Sequence, residues 1–450
     1  MKATSPTRRW TLAIDLAAAG AIGALVVHPV TQDRDPATAA ARLEEACGLS
    51  RALDLDVRSA ESVVLRKVNP GSYFGGGRVE LLAEEVKARD AAVVVVDAAL
   101  TPVQQRNLEK GLNAKVVDRA GLILEIFGRR AATREGRLQV ELARLGYERS
   151  RLVRTWTHLE RQRGGLGKTG GPGETQIELD RRLIADRIVR LKKDLEEVRR
   201  TRGLQRRART RAGLPTAALV GYTNAGKSTL FNRLTQADVL AKDMLFATLD
   251  PTARVIRMPG GRDVILSDTV GFITDLPTEL IAAFRATLEA IVEADVIIHV
   301  RDIADPHTER QRGDVLGVLE QISKEKLEAG EALPPVLEVW NKIDQVEPDV
   351  RAARVARALG EAEGAVGPAL VVSALSGEGM DDLLEAIDRL AYGDRVVVHV
   401  SLDPANGRTH AWIGAHGQIL QETLGEDGLL HIVARLSVGD AAQLDHGDEA

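Results

Sequence analysis

The nine residues Gly221-Tyr222-Thr223-Asn224-Ala225-Gly226-Lys227-Ser228-Thr229 constrain this chain more than any other stretch. They spell G-x-x-x-x-G-K-[ST], the phosphate-binding loop, and their flanks agree with the spelling. Residues 216–220 (TAALV) form a short apolar run that reads as a buried strand, and 227–234 (KSTLFNRL) reads as the first turns of a helix. Glycines let backbone N–H groups approach phosphate oxygens, and a helix N-terminus adds a dipole that favours negative charge. Lys227 is placed to reach the β- and γ-phosphates of a nucleotide, and the Ser228 hydroxyl to bind Mg2+.

Four further pieces follow in the order that a guanine-nucleotide domain needs. Phe246-Ala247-Thr248-Leu249-Asp250 comes first, and Thr248, 20 residues after Ser228, offers a second Mg2+ hydroxyl, with Thr252 as its competitor. A strand at 264–267 then runs into Asp268-Thr269-Val270-Gly271, where Asp268 would hold Mg2+ through water and the Gly271 N–H would sense the γ-phosphate. Next, an apolar run at 336–340 leads into Asn341-Lys342-Ile343-Asp344. A carboxylate at Asp344 can accept from the guanine N1–H and 2-amino groups, whereas adenine would leave it unpaired. Last, 369–372 leads to Ser373-Ala374, whose backbone can meet the guanine O6. Lys227, Thr248 and Gly271 are the candidate catalytic residues, and Ser228 and Thr248 the candidate metal ligands. In Ras-like domains a glutamine after the DxxG glycine orients the attacking water. Here that position is Phe272, which predicts slow intrinsic hydrolysis. Asn224 either stabilises the loop turn or helps to coordinate a K+ beside the phosphates, and both readings stay open.

A chain of 450 residues exceeds one core, and ~3 domains is the prior. Aromatics make up only 3% of it, so its cores must be aliphatic. Cys47 stands alone, which excludes an intrachain disulfide and fits a reducing compartment. Charge is uneven: Arg129 to Ala212 holds 24 Lys and Arg against 11 Asp and Glu, a local net of +13 in a chain whose net is −5. A basic block inside an acidic protein points to an anionic partner, and to nucleic acid before others.

The apolar run before Val27 is broken by Asp15, Gly20 and Gly23, so it is too short for a membrane span. Strands are expected at 22–28, 62–68, 91–96 and 115–117 and helices at 36–53 and 102–112, which describes a small α/β domain with a largely parallel sheet. Gly71 to Arg78 precedes a helix at 79–88 and reads as a turn or an anion loop. Asp54, Asp97 and Asp118 fall near strand ends, where open α/β sheets bind ligands. Helical spacing at 137–147 and 181–198 predicts two antiparallel helices joined by the glycine-rich loop 164–174. The Gly167-Lys168-Thr169 triplet in that loop is not a second phosphate loop, because Gln162 stands where a glycine is needed. A flexible cationic loop at a hairpin tip suits an RNA backbone. Beyond Tyr392, strand signals predict a small α/β or β-rich domain, whose His399, His410, His416 and His431 lack ligand spacing.

Together these stretches resemble the HflX-type GTPases, of the Obg-HflX branch. The likeness spans about residues 22–393 and is carried by Gln104 to Glu109, Asp118 to Leu124, Glu135 to Leu142, Gly171 to Thr175, and DTVGFITDLP from Asp268 to Pro277. The resemblance implies a multidomain α/β protein. It would have an N-terminal α/β subdomain at 1–128, a basic helical arm at 129–212, a GTPase domain with a mostly parallel sheet at 213–393, and a small C-terminal domain at 394–450. It further implies a cytoplasmic, Mg2+-dependent GTPase that binds the large ribosomal subunit and its RNA and splits or rescues stalled ribosomes. A monomer is expected, without DNA and with at most a peripheral membrane association. The alternative reading is an RNA-remodelling NTPase with its own N-terminal ATP site. Two positions depart from the family pattern: Arg78 closes FGGGR, where a glycine-lysine pair is expected, and Arg301 precedes Asp302, where a hydrophobic residue is usual.

Overall fold

The computed structural model describes residues 22–31, 35–160, 172–211, 214–236, 245–246, 252–259, 261–275, 280, 288, 291–328, 333–361, 369–393, 395–425 and 427–447. The chain forms two compact units. The first comprises Met1–Thr201 with Asp243–Asp250 and Asp275–Arg285; the second comprises Arg202–Lys242, Pro251–Thr274 and Ala286–Ala450.

The first unit is built on a four-stranded parallel sheet of order β2-β1-β3-β4, with β1 Ile22–Thr31, β2 Leu55–Leu65, β3 Val93–Val96 and β4 Lys115–Asp118. β3 is four valines, all buried, as a central parallel strand requires. The strand expected at 62–68 starts earlier, at Leu55. As an edge strand, β2 tolerates the polar run Asp56 to Ser62 on its half-exposed length, and this hid its first half from periodicity. Leu25, Val27, Phe74, Leu82, Val94, Val96, Leu108 and Val116 form the core. The helices start where capping chemistry allows. Asp35 caps Pro36–Arg51, Thr101 and Gln104 form a capping box on Pro102–Leu112, and Asp118 caps Arg119–Arg130. The Gly71–Arg78 stretch is a turn: Asn69 and Tyr73 bridge, and Gly76 already begins the helix Gly76–Ala88.

Two long helices, Arg134–Glu160 and Pro172–Arg211, extend beyond their expected limits. Glu141 of the first accepts two hydrogen bonds from Arg187 of the second, at 2.7 and 3.1 Å. Of the glycine loop between them, residues 164–171 lie outside the described residues.

The second unit holds a six-stranded sheet of order β10-β9-β8-β5-β7-β6. Its strands are β5 Thr216–Gly221, β6 Thr252–Arg257, β7 Asp263–Asp268, β8 Val296–Asp302, β9 Val336–Asn341 and β10 Ala369–Val371. All pairs are parallel except β6 with β7. Leu219, Phe231, Leu266, Ile298, Val339 and Leu383 are among the residues of its aliphatic core. A three-stranded antiparallel sheet follows, with β11 Arg395–Leu402, β12 Gln418–Leu424 and β13 Leu430–Ser437 in the order β11-β13-β12. No described helix is long and apolar enough to cross a membrane.

Candidate active site

The phosphate loop leaves β5 and enters the helix Lys227–Thr235 through two glycines that no other residue can replace cheaply. Gly221 has φ 152° and packs so close to the Val300 carbonyl that a Cβ would collide with it. Gly226 has φ 89°, and a Cβ there would strike the Asn341 amide. Asn224 is exposed with φ 63°, a left-handed conformation that asparagine tolerates better than most residues.

Lys227 is buried, and its ammonium donates to the carbonyls of Gly221 (3.0 Å) and Tyr222 (2.7 Å). Burial pushes its pKa down to about 8, although Asp268 pulls the other way. The Ser228 hydroxyl donates to Asp268 Oδ2 at 2.8 Å, so the two predicted Mg2+ contacts are adjacent. Both are hard oxygen donors of the kind that Mg2+ takes, and the residues present fit the ion. Thr269 donates its hydroxyl to the Leu219 carbonyl at 2.6 Å, which fixes the turn after β7 on β5. At Gly271 a Cβ would lie 2.9 Å from Thr223 Cγ2 and 3.1 Å from Lys227 Nζ. The DxxG glycine therefore sits directly beside the loop lysine. Phe272 is 2% exposed, and its backbone bonds to Gly221 (3.0 Å) and Thr223 (2.7 Å).

At the base end, Asn341 joins three segments. Its amide donates to the Ala225 carbonyl at 2.9 Å, and its Oδ1 accepts from the Ala374 N–H at 2.9 Å. Asp344 Oδ1 accepts from the Ser373 hydroxyl at 2.5 Å. Lys342, at φ 66°, pairs with Asp302 at 2.8 Å, and Ile343 is buried beneath them. Sequence reasoning missed the Asp302 contact. Its signal is the acidic residue that ends the strand beside β9.

Arg301 departs from the usual hydrophobic residue because a charge network replaces the packing. It ion-pairs with Glu338 and with Glu309 (2.6 Å), and its guanidinium lies 5.0 Å over the Trp340 ring. Burial alone would raise Glu338, but hydrogen bonds from Trp340 and Arg301 outweigh it and hold the carboxyl at about 2.

Of the expected residues around Thr248, one is described. Phe246 packs edge-on against Phe127 at 4.7 Å within the first unit, which makes it a core residue. Ala247, Thr248, Leu249 and Asp250 lie outside the described residues. Thr252, the competing hydroxyl, pairs with Asp268 across β6 and β7. Tyr222, Thr223, Ala225, Thr229, Val270 and Gly271 all fall within the loop, its helix or the turn after β7.

Four family profiles match the chain in succession. They are described as GTP-binding GTPase N-terminal (residues 40–128), GTP-binding GTPase Middle Region (130–209), 50S ribosome-binding GTPase (216–342) and HflX C-terminal domain (358–447). The chain is 52% identical over 385 residues to GTPase HflX of Magnetococcus marinus, covering 86% of each. It is 44% identical over 376 residues to GTPase HflX of Escherichia coli, covering 84% of this chain and 85% of that one. Among solved structures, a GTP-binding protein from the archaeon Sulfolobus solfataricus in complex with GDP is 24% identical at TM-score 0.43, covering 82% of this chain and 98% of that one.

Proposed function

The chain belongs to the HflX family of GTPases, and from that premise we propose that it is a GTP-driven switch acting on the large ribosomal subunit. It binds and hydrolyses GTP. The observation that carries the site assignment is Asn341, one side chain hydrogen-bonded both to the phosphate loop at Ala225 and to the base loop at Ala374. That side chain keeps the two halves of a nucleotide site in register before any ligand arrives.

The phosphate loop from Gly221 to Thr229 cradles the phosphates with its backbone N–H groups, and Lys227 is the cation among them. Ser228 and Asp268 would hold Mg2+, with the second hydroxyl supplied by Thr248. The bound ion supplies neutralisation of the charge that develops on the transferring phosphoryl group. Asp344 selects guanine, with Ser373 and Lys342 fixing its surroundings. Phe272 is buried and its backbone is bonded, so it does not orient the attacking water. A ribosomal partner would complete the site, which fits slow hydrolysis alone and faster hydrolysis in the complex. The basic helices Arg134–Glu160 and Pro172–Arg211 and the glycine loop between them would follow ribosomal RNA. Splitting or rescue of stalled ribosomes is the role we infer, with hydrolysis releasing the complex. K+ beside Asn224 remains a proposal, and equal rates in K+ and Na+ would remove it.

GTP hydrolysis with and without purified large ribosomal subunits tests the reading. Strong stimulation that disappears on deleting Gly164 to Gly173 supports it. Equal rates in both conditions leave the GTPase standing and refute the ribosomal partner.

A further inference from the structure

We propose that Tyr222, Thr274 and Asp314 form a hydrogen-bonded latch that positions the Asp268–Gly271 turn on the phosphate loop, making all three positioning residues for GTP hydrolysis. The proposal rests on the GTPase reading above. All three belong to the second unit: Tyr222 to the phosphate loop, Thr274 three residues beyond Gly271, and Asp314 to the helix Thr308–Glu328.

Thr274 is bonded through both its backbone and its side chain. Its backbone N–H donates to the Tyr222 hydroxyl at 2.9 Å, its hydroxyl donates to Asp314 Oδ2 at 2.6 Å, and its Oγ1 lies 2.7 Å from the Tyr222 oxygen. A threonine hydroxyl carries one proton. With that proton committed to the carboxylate, the Tyr222 hydroxyl is the donor to Thr274 Oγ1. The chain of bonds therefore runs one way, from Tyr222 through Thr274 to Asp314. Its anionic end strengthens the Thr274 bond, because hydrogen bonds to a charged acceptor exceed neutral ones.

The latch lies where its effect on the γ-phosphate is direct. Between its two ends, Phe272 is bonded to Gly221 and Thr223 in a parallel bridge that covers Tyr222 and Phe272. Gly271 is thereby held against Thr223 and Lys227. A donor already in place when the γ-phosphate arrives needs no rearrangement during reaction. GDP has no γ-phosphate, so the latch should matter for GTP and not for GDP.

Tyr222→Phe removes the hydroxyl and keeps the ring. The expected result is a single-turnover GTP hydrolysis rate about tenfold lower, with the GDP dissociation constant within about twofold of the unaltered chain. Asp314→Ala should fall by a similar factor, and the double variant should fall no further, since each single change already breaks the same chain. Thr274→Ser, which keeps both donors, and Asp314→Asn, which keeps an acceptor, should recover most of the rate. Unchanged hydrolysis in Tyr222→Phe overturns the latch. So does an equal loss of GDP and GTP affinity, which would mean that Tyr222 only shapes the phosphate loop. If the unaltered chain does not hydrolyse GTP, the GTPase reading itself fails, and that outcome is separate from either result on the latch.

Discussion

At the carboxyl ends of β1, β3 and β4 the first sheet gathers His28, Asp97, Asp118 and Arg119; at the same ends of β5, β7 and β9 the second gathers the phosphate loop, Asp268 and Asn341. Topology alone treats both edges as ligand sites. They differ in what their polar groups already touch. Asp97 accepts from His28 at 2.8 Å and from Arg119 at 2.6 Å, and Arg119 reaches on to Glu45 at 2.5 Å. Asp118 caps a helix and also accepts from Tyr147 at 2.7 Å and Arg151 at 3.1 Å. The second edge instead presents backbone: a loop entered and left through glycines at positive φ, followed by a helix start. Acidic residues at strand ends are thus weak signs of a site, and a glycine-shaped concavity of N–H groups is a strong one.

Changes on the two edges should therefore fail differently. The largest effect is expected at Gly221. Gly221→Ala places a Cβ against the Val300 carbonyl at a φ that side chains avoid, and should cost the second unit at least about 3 kcal/mol, together with nucleotide binding. Thermal melting with and without GDP reads both. On the other edge, Asp97→Ala should destabilise by about 3–5 kcal/mol, because it leaves the buried Arg119 without that carboxylate. GDP affinity should nevertheless remain within about twofold, and a large loss would undo the contrast.

Acid should act on the first edge through Asp97. Burial would raise Asp97, but the His28 hydrogen bond and Arg119 outweigh it and hold the carboxyl at about 2. A folded-state pKa below the unfolded 3.8 means stability that is present above pH 3.8 and lost as pH falls towards 2. That loss is on the order of 2 kcal/mol, and denaturant melts in that window should show it shrink in Asp97→Ala. A smaller change is expected at the base loop. Asp344→Asn should cut the preference for GTP over xanthosine triphosphate by at least about tenfold, or about 1.4 kcal/mol, without altering the melting temperature. Least of all, Phe272→Gln should bring no gain in hydrolysis. Its position is buried and its backbone bonded, so a glutamine there would not reach the phosphates.

Much of the candidate site was legible because its chemistry demands fixed residue types, glycines for close backbone approach and particular side chains at fixed spacing. Gly221, Asp268 and Asn341 are legible from spacing and end strands of one sheet, while Gly226, Lys227 and Asp344 lie in the turns and helix start that follow two of those strands. The parallel first sheet was legible from β3, whose four valines admit few alternatives. What escaped was long-range pairing. Arg301 looked like a departure, since nothing local announces that Glu338 on the next strand and Glu309 on the following helix will meet it. Phe246 was read with the nucleotide residues by adjacency in sequence, but its ring found Phe127. Thr274 and Asp314 sit 40 residues apart, a spacing that no periodicity links.

The second sheet alone is expected to turn over nucleotide. The most direct test is hydrolysis of both GTP and ATP by full-length Lys227→Ala. The account predicts background rates for both, with the first unit still folded. ATP turnover surviving in that variant would contradict it and place a second active site on the first sheet.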